Sequence, residues 1–179
     1  MIPSLKTARR GFTLIELIIV IAIIAVIAAG VFVALDPVKR LNSGRNAVRW
    51  TDVTAIASAI KLFQADSASG SLVFSTPALL QDSNPATFQI IGTATTGCDT
   101  VLCNGVAAAA PCMNLHTNFT KYLPDTPHDP TQSPANGALN SRYYVNYDTA
   151  TGLVTAGACD AQGEGPGGTA PSPTITISR

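Results

Sequence analysis

The pattern of apolar positions divides the chain into two unequal parts. From Leu17 to Leu35 no charged or strongly polar side chain interrupts a run of Ile, Val, Ala and Leu. At a rise of ~1.5 Å per residue, a helix begun at Phe12 is long enough to cross a hydrocarbon layer of ~30 Å. A helix also satisfies its own backbone polar groups in lipid. Residues 12–35 are therefore expected to span a membrane as a helix. Glu16 is the exception within this run, and it follows a basic leader holding Lys6, Arg9 and Arg10. A carboxylate at that depth is costly, and its default reading is functional, with a positively charged partner. The partner expected here is a charge that arises later, such as a new amino terminus. Simple tolerance of Glu16 at the interface is the alternative.

Beyond the run, Asp36-Pro37 is expected to kink or briefly interrupt the helix, since proline lacks a donor and clashes with the preceding turn. Helical spacing then returns in Leu41, Val48, Val53, Ile56, Ile60 and Phe63, which predicts an amphipathic helix to about Gln64. Asn42-Ser43-Gly44 reads as a soft spot in it. Asp36, Arg40, Arg45, Arg49 and Asp52 fall on its polar side. The basic cluster there suits either a solvated face beside the membrane or pairing with acids of a neighbouring subunit.

After Asp66 the composition turns to Ser, Thr, Gly, Ala and Pro. Thr87–Ile91 is the best strand candidate, and Pro111–Leu123 a short helix with Leu115, Phe119 and Leu123 one turn apart. The stretch from Pro124 to Pro130 must be irregular, because three prolines forbid helix and central strand. Alternation in Arg142–Asp148, the turn Thr149–Gly152 and the return Leu153–Cys159 predict a hairpin. Residues 163–173, rich in Gly and Pro, are expected to be a mobile tail, with Thr174–Ser178 either a terminal strand or frayed. The predicted class is α+β, a long bent amino-terminal helix whose second half packs on a small antiparallel sheet.

Length and charge narrow the function. The chain of 179 residues suits one membrane helix and one modest head, and 12% charged residues with zero formal net charge do not indicate nucleic-acid binding. Basic residues flank both ends of the span, so the positive-inside count alone is ambiguous. The short leader and the downstream cysteines point to an outward-facing head. An ordinary secretory signal ending at Val26-Ile27-Ala28 or Ile27-Ala28-Ala29 is the rival, opposed by Glu16 within its apolar core.

Cys98, Cys103, Cys112 and Cys159 all follow the span, and four cysteines in an exported head favour two disulfides in one of three connectivities. Cys98–Cys103, closing a tight loop, and Cys112–Cys159, bracketing the hairpin, are the expected pairs, the longer contributing roughly 4 kcal/mol in the loop-entropy model. The rival is a zinc site from Cys98, Cys103, Cys112 and His116, which strands Cys159. Asn118-Phe119-Thr120 fits a glycan acceptor. His116 and His128 lack any nucleophile motif, so neither catalysis nor a cofactor is expected.

The basic leader, Gly11, the sequence Phe12-Thr13-Leu14-Ile15-Glu16 and the unbroken apolar helix together resemble the class III signal of type IV pilins and type II secretion pseudopilins. The resemblance covers about the first third of the chain. It implies that a prepilin peptidase cuts between Gly11 and Phe12 and methylates the new Phe12 amine. It further implies that Glu16 neutralises the Phe12 ammonium, within the subunit or on a neighbour, as helices stack in a filament core. Loss of the leader removes three basic residues and leaves a net charge of about −3. The expected segments are a leader 1–11, a core helix 12–35, an amphipathic half 36–66, a head 67–162 and a tail 163–179. Pilins often staple a carboxyl-terminal region, which supports Cys112–Cys159. Major pseudopilins bind calcium in a comparable loop, which makes Asp125 and Asp129 weak calcium candidates, although two carboxylates supply few of the oxygens calcium needs. The expected function is a major pilin-like subunit, with neighbouring subunits, prepilin peptidase, an inner-membrane assembly platform and, before assembly, the membrane as partners. The filament would serve adhesion, motility or DNA uptake. A type II secretion pseudopilin and a membrane-anchored binding module that never polymerises are the alternatives.

Overall fold

The structure, a computed structural model, describes residues 11–66, 87–98, 103, 107–108, 111–115, 119–148 and 150–179. Two compact units are distinguished, residues 1–37 and 38–179.

In the first unit α1 runs from Leu14 to Leu35. Thr13 caps it from an extended conformation, and none of its side chains is buried. Every exposed residue of the run is apolar after Glu16, and by length and composition this stretch is able to cross a membrane. The helix stops at Asp36, whose φ of 40° and ψ of 71° are left-handed. That conformation ends the α1 hydrogen-bond ladder one residue before Pro37, which lacks a backbone donor. The interruption expected at Asp36-Pro37 is present.

In the second unit α2 spans Pro37–Asp66. Its buried stripe is Asn42, Asn46, Arg49, Val53, Ile56 and Ile60, recurring at alternate steps of four and three residues. The lower half of this stripe is apolar and meets Tyr143, Val145, Val154, Ala156 and Ile175 in the main core. The upper half is polar. Leu41 and Val48, expected in the stripe, are instead 61% and 47% exposed. They project from the other side of the helix, and three polar residues turn inward in their place.

The sheet order is β2-β1-β3-β4-β5. The hairpin is as expected, β3 (Tyr143–Asp148) against β4 (Leu153–Ala158), with Val145 opposite Ala156. β1 (Thr87–Ile90) joins it antiparallel, with Ile90 opposite Tyr144. Two further strands complete it. β2 (Ala107–Ala108) pairs parallel to β1, and β5 (Thr176–Ser178) pairs antiparallel to β4. Alternation along β3 sends Tyr143 and Val145 to the α2 core and Tyr144 to the opposite face, among the four cysteines and Ile90. Both faces are therefore covered. Gly157 lies beneath the Tyr144 ring, which any Cβ there would strike.

Residues 111–115 are not helical. Met113 instead bridges Ile91, accepting from Gly92 N–H at 2.9 Å and donating to Ile90 O at 2.7 Å. A turn begins only at Phe119, and Leu115, Phe119 and Leu123 reach the core as expected. A short α3, Pro134–Leu139, was not anticipated, although Ser133 as cap and Pro134 at the first turn signal it. The residues 163–179 are built into the fold rather than loose. Ile175 is fully buried, and Arg179 exchanges backbone hydrogen bonds with Val154 at 2.7 and 2.9 Å.

The polar half of α2 explains this order. Asn42 donates to Gly163 O, and Asn46 donates to Gln162 O and accepts from Gln162 N–H. Gly168, at φ 75°, approaches so closely that a Cβ would sit 2.5 Å from Val38 Cγ1. Arg49, expected on the solvated face, is wholly buried and holds Asp129 through two bonds, Nε–Oδ2 at 2.7 Å and Nη2–Oδ1 at 2.9 Å. Thr131 adds two donors to Asp129 Oδ1 at 2.8 and 2.6 Å, and Asn46 accepts from Arg49 Nη1 at 2.8 Å. Removing one partner leaves a buried charge, whereas replacing both by apolar residues need not destabilise. Asp129→Ala should therefore lower the unfolding free energy of the full chain by about 3–5 kcal/mol. Arg49→Met combined with Asp129→Leu should recover most of it, as read by denaturant titration of Trp50 fluorescence.

The same pair sets a pH dependence. Burial works to raise the Asp129 carboxyl, but its bonds to Arg49 and Thr131 prevail and hold it below the ordinary aspartate range. A carboxyl lowered on folding contributes stability above its unfolded value of about 3.9 and loses it as pH falls through the folded value. Thermal melts should therefore show stability falling below about pH 4, with the fall shallower in the Arg49→Met, Asp129→Leu double variant.

Candidate functional site

The amino-terminal motif is built on a capping box. Thr13 Oγ1 accepts from Glu16 N–H at 3.3 Å, and Glu16 Oε2 accepts from Thr13 N–H at 2.9 Å and from its hydroxyl at 2.7 Å. The reciprocal bonds satisfy donors that a helix start leaves open. The carboxylate is also favoured by the positive end of the helix dipole. Glu16 is thus folded back onto the residue that follows Phe12. Phe12 is 88% exposed, and space around Gly11 is open. Lys6, Arg9 and Arg10 lie outside the described residues.

This geometry refines the reading of Glu16. Its partner in the uncut chain is Thr13, a role legible in the spacing Thr13-x-x-Glu16 but passed over in favour of a future ammonium. Cutting between Gly11 and Phe12 would leave both partners of the box in the chain and place a new ammonium on Phe12, the residue before Thr13, whose N–H the carboxylate accepts.

The cysteines come together on the sheet face away from α2, and the connectivity differs from that expected. Cys98 pairs with Cys112 and Cys103 with Cys159, with Cα separations of 5.4 and 4.5 Å. No cysteine is free, so the zinc alternative lacks its thiols. His116 and the candidate glycan residue Asn118 lie outside the described residues. The expected pairing failed because the Met113–Ile91 bridge lays residues 111–113 beside β1, which brings Cys112 to Cys98. Cys112 N–H donates to Ala94 O at 2.9 Å in the same arrangement.

The two calcium candidates are separated in role. Both Asp129 oxygens are committed to Arg49 and Thr131, while Asp125 is exposed at the edge of a cleft. Among the described residues no group of three or more His, Cys, Asp or Glu is arranged to hold a metal. Of the basic cluster, Arg45 reaches Gln162 Oε1 at 3.4 Å and Arg49 is buried. Asp52 accepts from the Tyr143 hydroxyl at 2.6 Å, so it faces the sheet. Burial raises its carboxyl despite that bond.

Residues 6–32 match the family model described as a prokaryotic N-terminal methylation motif. No curated protein and no solved structure matches the chain. The motif is the prepilin-type signal and supports a type IV pilin-like or pseudopilin protein, a class that is structural rather than enzymatic. It implies processing by prepilin peptidase, and with the apolar α1 it fits a membrane-anchored precursor.

Non-reducing peptide mapping should recover the pairs Cys98–Cys112 and Cys103–Cys159 and no free thiol. The loop-entropy model assigns them about 3 and about 4 kcal/mol. Cys103→Ser with Cys159→Ser should accordingly cost more stability than Cys98→Ser with Cys112→Ser.

Proposed function

We propose that the chain is a structural subunit that polymerises into an extracellular filament of the type IV pilus kind. The observation that carries this reading is the union of the methylation motif with a helix, Leu14–Leu35, that buries none of its side chains. In the proposed cycle lipid covers α1 first. Prepilin peptidase hydrolyses the Gly11–Phe12 bond and methylates the Phe12 amine. An inner-membrane assembly platform then transfers α1 from lipid to the helices of neighbouring subunits, so its apolar surface is never left to water. The Phe12 ammonium meets a Glu16 carboxylate, its own or a neighbour's, and that pairing sets the register as each subunit docks. A charge buried without a partner would be far costlier.

A pilin is favoured over a pseudopilin. Two disulfides staple the sheet face, and Asp129 is taken by Arg49, which removes half of the carboxylate pair that suggested a calcium loop. The carboxyl-terminal segment does not enter this choice, because β5 belongs to the sheet.

Glu16→Ala should still be processed yet fail to assemble, with surface filaments reduced at least tenfold by electron microscopy (tenfold being about 1.4 kcal/mol in an equilibrium). Gly11→Glu should accumulate as uncut precursor. Normal filament yield from either variant would refute the reading.

A further inference from the structure

A cleft of about 390 Å³ lies between the end of β1, residues 114–115, the proline-rich loop and α3. That volume is within the range of small-molecule sites, about 300–1,000 Å³. Its walls are fixed by main-chain bonds. Thr93 N–H and Ala94 N–H donate to Ala138 O and Leu139 O at 3.0 and 3.1 Å, and Gly92 N–H donates to Met113 O at 2.9 Å. The loop wall is tied by Asp129 N–H to Ser141 O at 2.9 Å and by the Arg49 pair. The cleft is therefore formed before any ligand arrives.

The lining chooses among ligand chemistries. Leu115, Pro134 and Ala138 supply an apolar wall, and Asp125 supplies a carboxylate. Among the described residues no lysine or arginine lines it, which disfavours anions. Among the described residues no Phe, Tyr or Trp lines it either, so they offer a sugar ring or a base no aromatic face on which to stack. The Thr93 hydroxyl already gives its proton to Ala138 O at 2.9 Å, so toward the cleft it offers only lone pairs. The imidazole of His128, the other titratable group among the described lining residues, packs against Gly137, where a Cβ would lie 2.6 Å from it.

We propose that this cleft binds a primary ammonium carried on an aliphatic stem. The stem lies along Leu115, Pro134 and Ala138, and the ammonium donates to Asp125 and to the Thr126 hydroxyl. A lysine side chain of another protein and a free aliphatic amine share this chemistry. An exposed ion pair contributes little, so burial of the stem supplies most of the affinity, and millimolar binding is expected. The proposal stands independently of polymerisation.

Saturation-transfer NMR on the full chain in detergent micelles tests it, with n-butylammonium, 1-butanol and butyrate as probes. n-Butylammonium should give a saturable signal, 1-butanol should bind more weakly by up to about fivefold, the ratio about 1 kcal/mol of ion pairing allows, and butyrate should not bind. Asp125→Asn should lower n-butylammonium to the level of 1-butanol, and Ala138→Leu should abolish both by filling the cleft. Nα-acetyl-lysine methylamide separates the sources. Binding as tight as n-butylammonium assigns a protein lysine, and its exclusion assigns a free amine. Equal binding of n-butylammonium to Asp125→Asn and the parent chain, or binding of butyrate, would overturn the proposal. Asp125 is exposed, so its variant keeps the fold and decides the matter even where Ala138→Leu does not fold.

Discussion

Twenty-two consecutive residues, Leu14–Leu35, form a helix without one buried side chain. Apolar surface of that extent is not stable in water, so lipid or other protein must cover it. This requirement gives the amino-terminal motif its meaning. Glu16 is tolerable at the head of such a helix because it is never bare. In the intact chain it closes a capping box with Thr13, and a cut after Gly11 would create an ammonium on Phe12, the residue before that partner. The acid thus serves local helix initiation.

The folded unit depends on a different device. α2 presents one continuous inward stripe, but its chemistry changes halfway. Val53, Ile56 and Ile60 build an ordinary apolar core against the sheet, whereas Asn42, Asn46 and Arg49 act as hydrogen-bonding anchors. Through them one helix holds both the proline-rich loop, at Asp129, and the carboxyl-terminal segment, at Gln162 and Gly163. Loops that would otherwise cover the helix loosely are thereby placed residue by residue, and the walls of the cleft beside Asp125 inherit that rigidity. On the opposite face the two disulfides pack with Tyr144 and Ile90 in a second buried cluster.

The hairpin was legible in the sequence because Tyr143–Asp148 and Leu153–Ala158 alternate with a period of two around a turn with Gly152 at φ 72°. The helix break was legible from Pro37, and the motif from a short run with unmistakable flanks. The polar anchors escaped reading because polar side chains are expected to face water. Arg49, Asn42 and Asn46 keep helical period with the apolar core, but their partners lie 80 residues or more away in sequence, so no local pattern reveals them. Asp129 was hidden in the same way. The disulfide pairing turned on a single parallel bridge between Met113 and Ile91, which composition cannot foretell. The Thr13-x-x-Glu16 box and the Ser133-Pro134 helix start are both legible in local spacing, Ser133 as cap and Pro134 in the first turn.

The central claim is that lipid and then neighbouring helices cover the apolar rod after the leader is removed. Mass spectrometry of material sheared from the cell surface, imaged in parallel by electron microscopy, tests it most directly. The account predicts filaments whose subunits begin at an N-methylated Phe12. Subunits that retain Met1 to Gly11 and stay monomeric in the membrane would contradict it.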